Sequence, residues 1–125
     1  MSFETILEQI VADGPGILAA ALVGRDGLII GQAKGQAMSE DSRSEWDMAT
    51  LGVEFGRTFG DLATTSDELG AGGAAELMVR LERLTLMGSR IDEEVLLILG
   101  LSPDGNIGKA RYLMRREGWA IRQEI

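Results

Sequence analysis

The sequence predicts an α+β domain in which a five-stranded antiparallel sheet carries helices on both faces. Five short segments are either wholly apolar or alternate between apolar and polar residues, as strands do, and three longer segments repeat apolar residues at helical spacing. Turns rich in glycine, proline or acidic residues separate them in the order α-β-β-α-β-β-β-α. At 125 residues the chain is long enough for one domain, which we assign to residues 1–125.

The first helix is predicted over residues 3–13. Ser2 precedes it, and serine is a favoured helix N-cap because its side-chain oxygen accepts a hydrogen bond from a free backbone N–H. The apolar residues recur at helical spacing as far as the Gly-Pro-Gly sequence at residues 14–16. Those three residues end the helix, since neither glycine nor proline continues it readily.

A hairpin is predicted next. Residues 17–23 form a near-continuous apolar run, which is typical of a strand buried on both faces. Asp26 and Gly27 indicate a two-residue hairpin turn, and residues 28–33 form the returning strand. Residues 34–44 are polar and predict a loop, in which Ser42 or Ser44 is available to cap the following helix.

The second helix begins near residue 45 and runs to about residue 69, before the glycine-rich residues 70–73. Its apolar residues cover roughly 220° of the helix, about twice the stripe needed to cover one sheet. We therefore expect two apolar partners, of which only one belongs to the same chain. Gly52, Gly56 and Gly60 recur at every fourth position. They indicate either a surface that another backbone approaches closely or the seat of the helix on its own sheet, and the arc is wide enough for both.

The second half of the chain predicts a three-stranded meander and a last helix. Residues 75–81 alternate between apolar and polar side chains, which indicates a one-sided strand, and residues 84–89 form a second alternating strand. Residues 95–101 are wholly apolar. After the turn at residues 102–105, Asn106 is suited to cap a helix that extends from residue 107 to 117 or beyond.

The strand order follows from the two wholly apolar strands, residues 17–23 and 95–101, which belong in the centre. Joining the hairpin to the meander through them gives the order 2-1-5-4-3. The strand at residues 75–81 is then an edge, and its unpaired backbone groups need a cover or a partner strand. The wide helix and the open edge both favour a second copy of the chain. The predicted dimer interface consists of Met48, Gly52, Phe55, Gly56, Phe59, Gly60, Leu77 and Val79.

The amino-acid composition argues against several classes of function. The chain has no Cys and no His, so it lacks disulfides, thiolate metal sites and the usual general base. Pro103 and Ala110 stand where a phosphate-binding loop needs Gly and Ser or Thr. We expect no catalytic residue, cofactor or metal, and hence no enzyme. No segment approaches the roughly 20 apolar residues of a membrane span, and the N-terminus is unlike a signal peptide. The expected location is the cytoplasm.

The charge distribution is uneven. The net charge of −8 argues against nucleic acid and anionic membranes as the main partners. Residues 109–125, however, carry a net charge of +3, which leaves −11 for the rest of the chain. An acidic body with a basic terminal helix indicates either a docking device or a solvated helix face.

Three features resemble the Roadblock/dynein light chain family: the order of elements, the hairpin at residues 21–30 and the segment at residues 97–112. The most specific part is Asn106-x-Gly108-x-x-Arg111, which follows an apolar strand and a short turn. We expect Asn106 to cap the last helix and Gly108 to let that helix lie close to the sheet. Arg111 is expected to bind a nearby carboxylate or carbonyl group.

The resemblance implies a Roadblock/profilin-like fold and dimers joined through the long helix and the edge strand. It implies a homodimeric regulator of a small Ras-like GTPase, similar to the bacterial gliding-motility GTPase regulators, which binds the GTP state and modulates hydrolysis indirectly. The alternatives are a structural adaptor of the dynein light chain type, without effect on nucleotide turnover, and a small-molecule-binding protein or enzyme. The residues implied in partner binding are Asp47, Thr50, Glu54, Arg57, Thr58 and Asp61.

Overall fold

The computed structural model describes residues 2–35 and 48–124. In this part of the chain the order of elements is α-β-β-α-β-β-β-α, as predicted. The elements are α1 (Phe3–Asp13), β1 (Ile17–Gly24), β2 (Ile29–Lys34), α2 (Met48–Glu68), β3 (Glu76–Arg80), β4 (Thr85–Arg90), β5 (Val95–Leu101) and α3 (Ile107–Glu124). The predicted caps Ser42 and Ser44 lie outside the described residues.

The five strands form one antiparallel sheet in the predicted order β2-β1-β5-β4-β3. The central pair, β1 and β5, is matched from Ile17 opposite Leu101 to Gly24 opposite Val95. Every residue of β5 is buried, which explains why its sequence has no polar face. The strands β2 and β3 are the two edges of the sheet.

Helices cover both faces of the sheet. On one face α1 and α3 pack side by side, and Ile6, Leu7, Ile10, Leu113 and Ile121 join the odd-numbered leucines of β5 in a core. On the other face α2 contributes Phe55 and Phe59 to a second core with Val23, Leu96 and Ile98. Neighbouring β5 residues therefore belong to opposite cores, as the alternation of side chains along a strand requires. Within the described residues, no helix is both long and apolar enough to cross a membrane.

The caps predicted for α1 and α3 are confirmed. The backbone N–H of Thr5 donates to Oγ of Ser2 at 3.3 Å at the start of α1. At the start of α3 the backbone N–H of Lys109 donates to Oδ1 of Asn106 at 2.9 Å. Each cap satisfies a backbone donor that has no partner within the helix.

The hairpin turn differs from the two-residue prediction. The backbone N–H of Gly24 donates to the carbonyl of Leu28 at 2.8 Å, so three residues lie between the paired strands. The last of them, Gly27, has φ +88, the left-handed conformation that glycine adopts readily and that three-residue loops use. Oδ1 of Asp26 accepts from the N–H of Leu28 at 3.1 Å. The strand β2 consequently begins one residue later than predicted.

The expected role of Gly108 is wrong. Gly108 is exposed, and a Cβ placed on it would meet only Oδ1 of Asn106, at 3.5 Å. The glycine that does allow close packing of α3 is Gly118, where a Cβ would lie 3.3 Å from Cδ1 of Ile91. The family-like position therefore lies on the outward side of the first turn, whereas Ala110 faces the core.

Candidate functional site

The apolar residues of α2 mostly serve the fold of their own chain. Phe55 and Phe59 are 5% and 2% exposed, with ring centroids 6.4 Å apart. A Cβ on Gly52 would lie 3.4 Å from Cγ2 of Val23, and one on Gly56 would lie 3.8 Å from Cδ1 of Leu96. Gly52 and Gly56 therefore face the sheet of their own chain, although a Cβ at either position would make only ordinary van der Waals contact.

Gly60 is different, because a Cβ on it would have no neighbour within 4 Å. Of the residues predicted for the dimer interface, those on α2 other than Gly60 thus contact their own sheet wherever their side chains are described. The side chain of Met48 lies outside the described residues.

Sequence reasoning missed the most crowded glycine of this layer. A Cβ on Gly88 in β4 would overlap the ring of Phe55. A glycine inside a strand often marks a place where another group approaches the backbone closely. The signal available in the sequence was a glycine between Met87 and Ser89, in the interior of a predicted strand.

The strand β3 is an open edge with a defined hydrogen-bonding direction. Leu77 and Val79 are half-buried and pack against the α2 core. At the two ends of the β3–β4 ladder, the N–H of Leu81 donates to the carbonyl of Leu84 and the N–H of Arg90 donates to that of Ala75. Antiparallel strands alternate between inward and outward backbone groups. The N–H groups of the even-numbered residues, including Met78, therefore point away from β4.

Five of the six residues implied in partner binding lie in the described part of the chain. Thr50, Glu54, Arg57, Thr58 and Asp61 are all exposed on α2, and Asp47 lies outside the described residues. Arg57 Nη1 lies 3.3 Å from Oε1 of Glu54, and these side chains are 65% and 63% exposed. Oγ1 of Thr58 donates to the carbonyl of Glu54 at 3.0 Å. Glu54 therefore partly neutralises Arg57, whereas the ion pairs of the described residues include none between Arg57 and Asp61.

A groove of about 770 Å³ runs along the side of α2 that faces the β1–β2 and β4–β5 turns. We call it the α2 groove. Gly56, Phe59, Gly60 and Leu96 contribute to its apolar part. Three arginines, Arg25, Arg57 and Arg90, are outnumbered by the carboxylates Asp26, Asp61, Asp67, Asp92, Glu93 and Glu94. The groove is therefore acidic around a partly apolar floor.

On the opposite face of the sheet, α3 is held by two arginines. Nε of Arg111 donates to Oε1 of Glu76 in β3 at 2.8 Å, which confirms that Arg111 binds a carboxylate and identifies it. Arg116 binds Asp13 of α1 at 2.8 Å and Glu117 at 2.7 Å. These two hydrogen bonds, that to Asp13 first, raise the pKa of Arg116 above its ordinary value.

The solvent side of α3 carries two aromatic rings among basic residues. Trp119 is 70% exposed and Tyr112 is 53% exposed. Lys109 Nζ lies 5.3 Å from the centroid of the Tyr112 ring and Cζ of Arg116 lies 5.7 Å from it, which places both cations within range of a cation–π attraction. We call this surface the α3 face; its members are Lys109, Tyr112, Arg115, Arg116, Trp119 and Arg122.

No protein-family model matches the chain, and no curated protein matches it in sequence. Solved structures match over nearly the whole length. The chain is 30% identical to MglC from Myxococcus xanthus, with 100% of both chains covered and a TM-score of 0.69. It is 19% identical to an MglB with a tetrameric arrangement, covering 95% of this chain and 84% of that one, with a TM-score of 0.82. A Roadblock/LC7 domain from Streptomyces avermitilis is 14% identical over 99% of this chain and 98% of its own, with a TM-score of 0.82.

Proposed function

The chain belongs to the Roadblock/dynein light chain family, and from that premise we propose that it is a homodimeric regulator of a small Ras-like GTPase. Its fold is the type found in gliding-motility GTPase regulators and Roadblock adaptors. In the proposal, two copies join through β3 and α2, bind the GTP state of a cytoplasmic partner and modulate hydrolysis indirectly. The observation that carries the proposal is the open edge of β3 next to a helix whose outer surface is polar.

Homodimerisation is supported by the edge geometry. The outward N–H groups of β3 are ready to pair with a second β3, which would extend the sheet across the dimer. Met78 on this strand is 39% exposed and Leu62 on α2 is 48% exposed, so apolar side chains accompany the unpaired backbone. Leu77 and Val79 remain in the proposed interface, whereas Phe55 and Phe59 stabilise each copy separately. The tetrameric arrangement named for the related MglB is in line with self-association.

The GTPase is proposed to bind the exposed residues of α2, from Thr50 to Asp61. In a dimer joined beside this helix, the two copies of α2 present these residues on one continuous surface. The surface offers carboxylates, hydroxyls and one arginine, groups suited to hydrogen bonding with the polar switch segments of a GTPase. A preference for the GTP state then follows if the surface contacts those segments only when they are ordered.

The mechanism is proposed to be indirect because Arg57 is poorly placed to act as an arginine finger. Arg57 is the only basic residue of α2, and its guanidinium is engaged by Glu54 on its own helix. The chain also has no His to act as a general base. The remaining route is to hold the switch loops of the GTPase in a competent arrangement, which leaves the chemistry to groups of the GTPase.

The test is single-turnover GTP hydrolysis by a small Ras-like GTPase from the same organism, measured at saturating regulator. Arg57→Ala is expected to change affinity modestly and to leave the saturated rate within about tenfold, since a true finger supplies roughly 10³–10⁵ in rate. Arg83→Ala, which removes an exposed arginine from the β3–β4 turn, is the matched control. A loss near a thousandfold with binding intact would make Arg57 catalytic and overturn the indirect mechanism.

The second candidate function is a structural adaptor, and the pairing of Arg57 with Glu54 favours it equally well. The same assay decides between them. A regulator changes the rate of hydrolysis when it binds, whereas an adaptor binds the GTPase and leaves the rate unchanged. Absence of binding to either nucleotide state would remove both.

A further inference from the structure

We propose that the α3 face of one molecule docks into the α2 groove of another copy of this chain, which joins molecules head to tail. The inference goes beyond the proposed function and does not require GTPase binding, although Arg57 and Asp61 belong to both surfaces, so that docking and GTPase binding would compete for this side of α2. It concerns two surfaces on opposite faces of the sheet, neither of which is the β3 edge.

The first observation is the composition of the α3 face. Tyr112 and Trp119 lie seven residues apart, so their side chains lie on the same side of α3, roughly 10 Å from each other along the axis. Tryptophan, tyrosine and arginine are the residues that most often dominate binding energy at protein interfaces. Within residues 2–35 and 48–124, Arg115 and Arg122 form no ion pair with a carboxylate. A chain of net charge −8 thus displays exposed rings flanked by uncompensated cations.

The second observation is the complementary character of the α2 groove. Its floor at Gly60 is open, because a Cβ there would meet nothing within 4 Å, and an aromatic ring can therefore lie against the helix backbone. Asp92, Glu93 and Glu94 bring three carboxylates to one rim. Of the arginines in the groove, Arg57 is already paired with Glu54, which leaves the groove more negative than its composition alone indicates. An apolar anchor with basic neighbours matches an apolar floor with an acidic rim.

The dimensions of the two surfaces agree. The part of α2 that lines the groove runs from Val53 to Asp67, about 21 Å at 1.5 Å per residue. The α3 face runs from Lys109 to Arg122, about 20 Å on the same scale. Packed helices ordinarily lie 8–10 Å apart, and glycines at the contact allow the shorter distances. The α3 helix of one molecule therefore fits along the α2 groove of another.

The placement in the fold makes the contact intermolecular and independent of β3. The α3 face and the α2 groove lie on opposite sides of the sheet, so one molecule cannot bring its own two surfaces together. On the other side of α2, Leu51 lines a small hollow with residues 81–84 at the β3–β4 turn. The groove instead faces the β1–β2 turn. A dimer formed through β3 and the Leu51 side of α2 leaves both docking surfaces accessible, and Gly60 then belongs to the groove and not to the dimer interface.

An anionic membrane is the competing occupant of the α3 face, since aromatic and basic residues on a helix also suit lipid headgroups. The charges around α3 argue against it. The helix α1 lies beside α3 on the same face of the sheet and carries Glu4, Glu8 and Asp13. A net charge of −8 opposes the approach of an anionic membrane and of a second copy alike. The features that favour the second copy are the α1 carboxylates beside the α3 face and the partly apolar groove that can receive its rings.

The first experiment is sedimentation velocity of the full chain over a concentration series. We expect species larger than the dimer at about 0.1 M salt that dissociate at about 1 M, where the screening length falls from about 10 Å to about 3 Å. Trp119→Ala is expected to weaken this association at least about tenfold, on the scale of a hot-spot residue. Gly60→Leu fills the floor of the groove and is expected to do the same without disturbing the fold. Gln32→Ala, at an exposed position of β2 that belongs to neither surface, is the control expected to change nothing.

The second experiment tests the head-to-tail geometry. Arg115→Glu damages the α3 face and leaves the groove intact, whereas Glu93→Arg does the reverse. Each variant alone is expected to form nothing larger than the dimer. A mixture of the two is expected to form larger species again, because each variant supplies the surface that the other lacks. Failure of the mixture to associate would overturn the proposal. So would a wild-type chain that forms nothing larger than the dimer, or one that binds phosphatidylserine vesicles through Trp119 without self-association.

Discussion

Helices cover the two faces of the sheet to different extents. The α1/α3 face is closed by two helices, and Ile6, Leu7, Ile10 and Leu113 have no exposed surface. The α2 face is covered by a single helix, whose large buried side chains are Phe55 and Phe59. Within the described residues, this helix lies mainly over β1 and β5 and leaves Leu77 and Val79 of β3 half-buried. The comparison indicates that the α1/α3 layer is complete within one chain, whereas the α2 layer leaves β3 partly uncovered, and this is where the proposed dimer would add contacts.

The first way to break this comparison is to empty the α2 core. Phe59→Ala removes a buried ring and is expected to lower the free energy of unfolding by about 3–5 kcal/mol. Leu62→Ala, one turn further along the same helix, removes a half-exposed side chain and is expected to change it by about 0.5 kcal/mol or less. Urea unfolding at one protein concentration measures both. Equal losses would show that the two sides of α2 are not distinguished as described.

The second prediction concerns the open edge strand β3. Met78→Pro removes an N–H that points away from β4, so the strand keeps its internal pairing but cannot add a partner strand. In a twofold dimer the bond is lost twice, at about 1–1.5 kcal/mol each, which predicts roughly a thirtyfold to 150-fold weaker dimer. Sedimentation equilibrium measures this dissociation constant.

The matched control for this change is Gln32→Pro, an exposed residue on the opposite edge strand β2. The N–H of Gly24 in β1 donates to the carbonyl of Leu28, and the N–H of Gly35, directly after β2, donates to the carbonyl of Leu18 in β1. Because inward and outward backbone groups alternate along an antiparallel strand, the N–H of Gln32 lies on the outward side of β2. This variant is expected to remain dimeric. If the dimer survives Met78→Pro and dissociates with Gln32→Pro, the chain associates through β2, and the assignment to β3 is wrong.

The third prediction compares the effects of substituting two glycines, one packed against a ring and one exposed. Gly88→Ala drives a methyl group into the ring of Phe55 and is expected to cost about 1–3 kcal/mol, as overpacked cores do. Gly108→Ala places the same methyl group near Oδ1 of Asn106 only, and alanine is the better helix former, so stability is expected to hold or rise. Thermal unfolding of the two variants measures the difference, and a neutral Gly88→Ala would refute the close packing of α2 on β4.

The sequence predicted the features that depend on local pattern. Apolar periodicity placed every helix and strand, and the two wholly apolar strands placed the centre of the sheet. The cap at Asn106 and the ion pair of Arg111 followed from residue chemistry at a helix start. The glycines of α2 were ambiguous because helical spacing states which residues share a side and does not state what lies opposite. The exposure of Trp119 was missed for the same reason: its side of α3 becomes known only once Ala110, Leu113 and Ile121 are seen to face the sheet.

The smallest expected effect belongs to the pair of Arg111 and Glu76, which ties α3 to the edge strand β3. Their side chains are 37% and 32% exposed, so water screens the attraction and neither charge is stranded when the other is removed. A double-mutant cycle with Arg111→Met and Glu76→Gln is expected to give a coupling of about 0.2–1 kcal/mol at low salt. Because the pair reaches β3 from the α1/α3 face, its loss should weaken the dimer only by loosening the edge. A coupling above about 2 kcal/mol, or one insensitive to salt, would mean that the pair is shielded from solvent, as it would be if a second copy covered this edge from both faces.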